Sequence, residues 1–430
     1  MRIEDIYNII IKNSSYCTLK ENIEFNVDEL IYGKTLAMHW IISKRSMPPP
    51  ELLHDPSIQD KLGRTCAMHW IICFNSLPPK EFLHSPCIRD YLGRTCAMHW
   101  LDRYKNETSK EPTIPDELIH ESFIRDHRGY TCAMYWIEYI KKEVPPNLIH
   151  DPKLQNFYGE TCAMMWLKYV HTPFQKELVH DKNIISYDGT TCAMYWIENV
   201  IGAHVPDELL HNPSYKDKYG RTCAMLWIIH NKSLPPKELL HDPSIQDNEG
   251  LTCAMYWIKE CKSLPPPQII HKTTVADKEG DTCAMYWIKN IKNELVPKCL
   301  LHSSSIKNKR GLTCAMLWII YNESCPQLSL LHPPTVRDMD GMTCAMYWIE
   351  CVKNDPIPSR LIHSPSLQDN NGETCEMKWI YNRKTEVPIN LRHSANISNC
   401  INETCAIYWT TYVSTKIPTY LSSNYISSTQ

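Results

Sequence analysis

Glycine is sparse in this chain. There are 13 in 430 residues, each standing alone, so no phosphate-cradling glycine loop can be assembled from them. There is no run of 18 apolar residues, which leaves no candidate for a membrane-spanning helix. Charge of one sign is missing as well. With 45 basic and 48 acidic residues, a net charge of -3 and no long block of either sign, the basic footprint of a nucleic-acid binder is absent. Residues 1–15 place Glu4 and Asp5 inside an early apolar stretch and contain no adequate hydrophobic region, so a soluble, unsecreted chain is expected. Sequons such as Asn106-Glu107-Thr108 then carry no weight, because glycosylation needs a secretory route. Cysteine is plentiful at 20, but no two are spaced as Cys-x-x-Cys, which removes the dithiol redox motif.

What the chain does have is tryptophan in register. All 13 Trp lie in one frame, Thr-Cys-Ala-Met-x-Trp or a close variant, at positions 40, 70, 100, 136, 166, 196, 227, 257, 287, 318, 348, 379 and 409. The step is 30 or 31 residues, with a single step of 36, so one small unit is stacked many times. The copies serve as an internal alignment. Thr opens the frame in all 13, and Gly stands two residues earlier in 12; the last copy has Asn402 there. Asn is the non-glycine residue that best tolerates positive φ, so this exception points to a left-handed turn.

The repeat around Trp257 shows the mechanics. Thr252, after the Gly250 turn, is a helix N-cap, its hydroxyl accepting from a free amide of the first turn. The helix is expected to run to about Cys261, with Ala254, Trp257, Ile258 and Cys261 on one apolar face. Proline follows, as in Pro235-Pro236-Lys237-Glu238-Leu239-Leu240-His241, and predicts a second helix of about two turns. His closes that segment in 12 copies, always 16 residues before the next Trp, so the linker between Trp and His absorbs all variation in length. The largest insertion is the polar stretch Tyr104–Glu111. Between repeats, an apolar residue two before an Asp, Asn or Ser, such as Ile58 before Asp60, reads as turn chemistry with the Ile anchored in the core.

Twelve His and twelve Cys at fixed spacing raise the question of metal. Equivalent side chains of neighbouring stacked helices lie roughly 8–10 Å apart, whereas ligands must converge within about 2.0–2.3 Å of one ion. The reading is therefore structural: no metal site, no cofactor, buried thiols as core filler, and His interacting with free carbonyls at a helix C-terminus. The same spacing exceeds the roughly 7 Å reach of a disulfide, so the thiols are expected free, in a cytoplasmic or nuclear compartment. The irregular cysteines, Cys17, Cys73, Cys87, Cys261, Cys299, Cys325, Cys351 and Cys400, share no motif. The Tyr beside Trp, as at Tyr135 and Tyr256, reads as packing between repeats.

The frame Asp-x-x-Gly-x-Thr, a short helix, a segment ending in Leu-Leu and a projecting turn together resemble the ankyrin repeat over residues 30 to 420. The resemblance is to a divergent, shortened form, since Thr-Cys-Ala-Met-x-Trp stands in place of Thr-Pro-Leu-His-x-Ala. It implies an all-α, ankyrin-like helical repeat solenoid with projecting turns, and a protein-binding face formed by those turns without catalysis. The expected organisation is an N-terminal cap at 1–32, a 13-repeat array at 33–409, and a C-terminal cap with a frayed tail at 410–430. The turn positions carry Tyr91, Arg94, Arg128, Tyr130, Phe157, Tyr158, Tyr187, Tyr219 and Arg221, the aromatic and Arg content of interface hot spots. The favoured reading is a monomeric, non-enzymatic scaffold that binds one or more proteins there, with no nucleic-acid partner and no membrane span. A structural spacer or spring is the alternative, and a thiol or metal sensor comes third.

Overall fold

The computed structural model describes residues 7–8, 26–105, 112–353 and 355–422. Most of the expected N-terminal cap, the centre of the polar insertion and the expected frayed tail lie outside the described residues. The chain divides into two compact units, Met1–His211 and Asn212–Gln430. Among the described residues there are fourteen bounded α-helices, single 3-10 turns and no strand, only isolated bridges such as Ile185–Thr191. In each compact unit, successive repeat helices pack side by side, so each is an all-α helical-repeat solenoid.

Thirteen helices, from Leu36–Lys44 to Cys405–Tyr412, begin at the residue after the frame Thr. The Thr backbone is extended, and its side chain accepts from the amide of the Met three residues on, as Thr252 does from Met255 at 3.3 Å. Only Thr404 lacks this side-chain bond. Such a cap is worth about 1 kcal/mol, which matters for helices of seven to nine residues that could not persist alone. All seven nine-residue helices end on a left-handed residue other than glycine, such as Lys262, followed by Ser or Thr. That Ser or Thr accepts from the Trp indole N–H, as Ser263 does from Trp257 at 2.9 Å. Most shorter helices send the indole to a main-chain carbonyl instead, Glu294 for Trp287 and Thr113 for Trp100, whereas the buried Trp196 nitrogen has no partner among the described residues. The Trp nitrogen is thus the point where linker length is accommodated.

The buried stripe is broader than the expected four-residue face. Cys253, Ala254, Met255, Tyr256 and Ile258 are buried, while Trp257 and Cys261 are half-buried. Ala, Met and Ile at these places lose all solvent contact repeat after repeat, each Met or Ile contributing about 1.5–3 kcal/mol.

The expected second helix is a single 3-10 turn. Lys237–Leu239 follows Pro236, whose backbone is extended (φ -50°, ψ 150°), and Leu240 is already extended. The chain straightens because the next residue, His241, is pulled across to the Thr222 hydroxyl at 2.7 Å. Leu239 alone carries the turn into the core. Ile58 and Ile245 are half-buried, Ile245 packing against the core cluster as expected, and the Asp two residues on is buried at Asp60 and half-buried at Asp247.

At the ends, the Tyr7 ring packs edge-on to Tyr32 and His39 of the first repeat. The closing helix Thr419–Ser422 buries Leu421 against the last repeat.

Candidate functional site

Most inter-repeat turns are fingers built on one buried carboxylate or amide; Ser186 takes that place in one, and Asp247, Asp277 and Asp338 are half-buried. In the second repeat, Asp60 Oδ1 accepts from the amides of Leu62 and Arg64, both at 2.8 Å, and the Gly63 amide donates to the Asp60 carbonyl. The second oxygen, Oδ2, takes a donor from nine residues on, His69 at 2.9 Å. Elsewhere the same place is filled by a Tyr hydroxyl: Tyr135 to Asp126, Tyr256 to Asp247, Tyr286 to Asp277. These tyrosines therefore hold their own finger as well as packing between repeats, Tyr256 lying in one core cluster with Met225 and Ile228 of the preceding repeat. Where Asn156 or Asn308 replaces Asp, the residue nine on is Met165 or Leu317. At Asp90, hydrogen bonds from His99 and the Arg94 amide overcome the upward push of burial and bring the carboxyl down to about 2.

Within each compact unit, successive fingers are joined by one backbone bond per step. The residue after the Asp or Asn donates its amide to the carbonyl preceding the earlier Gly, as Phe157 does to Arg128 (2.7 Å) and Tyr187 to Tyr158 (2.9 Å). Long polar side chains add a second rung: Gln155 Nε2 donates to the Ile185 carbonyl at 2.9 Å, and Lys216 Nζ to Gln246 at 2.7 Å.

Because amides make the rungs, the side chains at the tips are free. Tyr91, Phe157, Tyr158, Tyr187 and Tyr219 are 55% to 77% exposed. Tyr130 is not part of this surface. It is 3% exposed, its ring 5.6 Å from Tyr135 and covered by the Arg128 guanidinium at 4.6 Å, because that guanidinium lies back over the ring. Arg128 itself is half-exposed, its Nε 3.8 Å from Asp126. Arg94 and Arg221 are half-buried against Asp90 and Asp217, so they brace their own fingers. Tyr219 and Arg221 belong to the second compact unit and the others to the first.

In the first unit, two grooves flank the tips. One, of about 780 Å³, is lined by Arg89, Phe123, Arg125, His127, Phe157 and Tyr187. The other, of about 350 Å³, is lined by Arg128, Tyr158, Lys168, Tyr169, Tyr187 and others, so Tyr187 borders both. Phe123, which is exposed, is not among the residues expected from the sequence, although the alignment of copies marks it: the equivalent positions are small or polar, such as Ser57, Cys87 and Asn183.

The repeat His and Cys do meet. Nδ1 of His84 donates to the Ser85 carbonyl (2.7 Å), leaving Nε2 to accept from the Thr65 hydroxyl (2.8 Å) while the Cys96 thiol lies 3.6 Å away. This triad recurs in most repeats and ties the cap of one helix to the first residue of the next; His180, whose Nε2 is buried without a partner among the described residues, is an exception. The expected capping of helix carbonyls by His is thereby corrected: the carbonyl it meets belongs to the following residue, and the Thr hydroxyl is its main partner. Burial holds His84, His120, His150, His241, His271, His332 and His363 below the ordinary imidazole range. It pushes the thiols of Cys66, Cys132, Cys253 and Cys344 up to about 12, so they stay protonated and poorly nucleophilic at neutral pH. The nineteen cysteines among the described residues are all free.

No helix among the described residues is long and apolar enough to cross a membrane. No protein-family model matches the chain, and no curated protein matches it.

Proposed function

We propose that the chain is a non-enzymatic scaffold that binds a partner protein on its finger tips, in the manner the ankyrin resemblance implies. The observation that carries this reading is the cluster Phe157, Tyr158 and Tyr187, exposed on consecutive fingers between two grooves that also present Arg125 and Arg128. Aromatic rings with few rotors, beside Arg, give contact area at low entropy cost. The backbone beneath them is already fixed by the amide ladder, so binding does not have to order it. The ankyrin likeness is supported by the Asp turn, the left-handed Gly and the Thr cap; the single 3-10 turn in place of a second helix departs from it. Free thiols throughout support a reducing compartment, cytoplasmic or nuclear.

The test is capture by the intact chain beside a variant with Ala at Tyr91, Phe157, Tyr158, Tyr187 and Tyr219, leaving buried Tyr130 in place. A partner retained by the first and lost by the second, at equal thermal stability, supports the scaffold. Equal recovery with both refutes the patch and moves weight to a structural spacer.

A further inference from the structure

We propose that Glu376, His393 and Cys405 form a binding site for one zinc-class divalent cation. Twelve repeats carry Ala at the third place of the frame, and only the twelfth carries Glu, at position 376. That side chain does not reach solvent. It is 1% exposed and points to the His393–Cys405 pair, which recurs in the other repeats without a third ligand.

Three donors of different chemistry converge there, all within 4.8 Å of one another. Bonds of about 2.0–2.3 Å at tetrahedral angles put neighbouring donors roughly 3.3–3.6 Å apart. Here Glu376 Oε2 lies 3.4 Å from His393 Nε2, and Cys405 Sγ lies 3.5 Å from the same nitrogen. The imidazole already has the orientation that a ligand needs. Its Nδ1 donates to the Ser394 carbonyl at 2.8 Å, which leaves the Nε2 lone pair facing the carboxylate and thiol.

The protein alone leaves the carboxylate short of partners. Oε2 accepts from the His393 amide at 2.9 Å and the carboxylate interacts with the Cys405 thiol, but Oε1 is buried with no hydrogen-bond partner. The other charge introduced in the same helix, Lys378, is treated differently. It reaches Glu350, Asp369 and Glu373 at 2.9–3.0 Å and is fully compensated. A dication would complete the Glu376 corner. On binding, the Cys405 proton leaves to solvent, and carboxylate, thiolate and cation sum to zero charge. The Thr374 hydroxyl, now 2.8 Å from His393 Nε2, gives up that acceptor. The mixed N, S and O set favours zinc over calcium or magnesium.

The experiment uses the full chain, stripped with chelator and titrated with Co²⁺ and then Zn²⁺. The expected result is one equivalent of cobalt with thiolate-to-metal and tetrahedral d–d absorption, displaced by zinc, and a higher melting temperature with zinc. Glu376→Ala restores the residue of the other twelve repeats and so preserves the frame, and Glu376→Gln keeps the shape while weakening the ligand. Losing an outer-shell group costs 10–100-fold in affinity, so either variant should weaken binding by more than about 100-fold. No cobalt absorption by the intact chain overturns the proposal and leaves a metal-free carboxylate–imidazole contact. Binding of several equivalents that survives Glu376→Ala also overturns it, by assigning the metal to the common His–Cys pairs.

Discussion

Gly159 and Gly202 have nearly the same backbone, φ +72° and +77°, yet they should respond differently to alanine. At Gly202 an added Cβ meets nothing within 4 Å, so only the left-handed conformation is penalised, by about 1–2 kcal/mol. At Gly159 the same carbon would lie 2.7 Å from the Tyr187 amide nitrogen and 3.0 Å from two Ser186 backbone carbons. Relieving that overlap adds about 1–3 kcal/mol, and bending the Tyr187-to-Tyr158 rung adds about 0.5–1.5 kcal/mol. Gly159→Ala should therefore be about 1.5–4.5 kcal/mol worse than Gly202→Ala. Gly159→Asn separates the two causes, because Asn tolerates the φ but not the contact. The natural control is Asn402, at φ +63° in the last repeat. Urea unfolding of the three variants, with hydrogen exchange at residues 186–190, reads the effect; the finger should open at least about tenfold faster in Gly159→Ala. Equal cost at Gly159 and Gly202, or wild-type stability in Gly159→Asn, would refute the argument that the next finger's backbone requires glycine.

Acid should weaken the fold through the repeat histidines. Burial lowers the folded-state pKa of groups such as His84, His150 and His271, so their contribution is complete above the unfolded value near 6.5 and is lost as pH falls below it. The melting temperature should drop between pH 7.5 and 5 with proton uptake on unfolding, and a flat or rising profile would contradict the assignment of Nε2 as acceptor. Thr252→Ala removes a cap and leaves His271 Nε2 without its 2.7 Å partner, at about 2–3 kcal/mol in a urea melt, whereas Thr252→Ser should be near neutral. Tyr256→Phe deletes the 2.6 Å bond to half-buried Asp247, at about 1.5–3 kcal/mol; a loss below about 0.5 kcal/mol, the size of a surface change, would show that Asp247 needs no donor there.

Helix starts are readable from the chain because a cap is a local device: Thr252 and Met255 are three residues apart, and no distant partner decides their bond. The 3-10 turn is not readable in this way. Pro236 followed by Lys-Glu-Leu-Leu is compatible with a short helix, and what straightens it is the bond from His241 to Thr222, 19 residues away. The part that Asp plays is hidden for a similar reason. Asp247 has the composition of a solvent turn, and what withdraws it halfway from solvent is its bond to Tyr256 on the next helix. The pairing is nonetheless present in most aligned copies, where Asp is matched nine residues on by His69, Tyr135 or Lys378 and Asn by Met165 or Leu317; Asp217 with Leu226 and Asn399 with Tyr408 depart from it. For Tyr130, proximity to Gly129 suggests a tip, and the Arg128 guanidinium covers it instead.

The division of labour within a finger explains how one frame can be copied thirteen times and still present different surfaces. Everything that fixes the backbone uses main-chain groups or residues that point inward: the Asp oxygens, the Gly approach, the Thr–His–Cys triad and the amide rung. The rung is the same whether its donor is Tyr187, Lys278 or Asn370, with N···O distances of 2.8–2.9 Å. The rung itself asks nothing of the side chain, although Asn370 adds a bond of its own from Nδ2 to the Met339 carbonyl at 2.6 Å. Tips such as Phe157 and Asn370 thus differ in chemistry over the same amide rung, and aromatic tips occur in both compact units, Tyr219 lying in the second. A surface that varies over a backbone that does not is what recognition of a particular partner requires, and a spacer alone would leave Phe157, Tyr158 and Tyr187 without a reason to be exposed together.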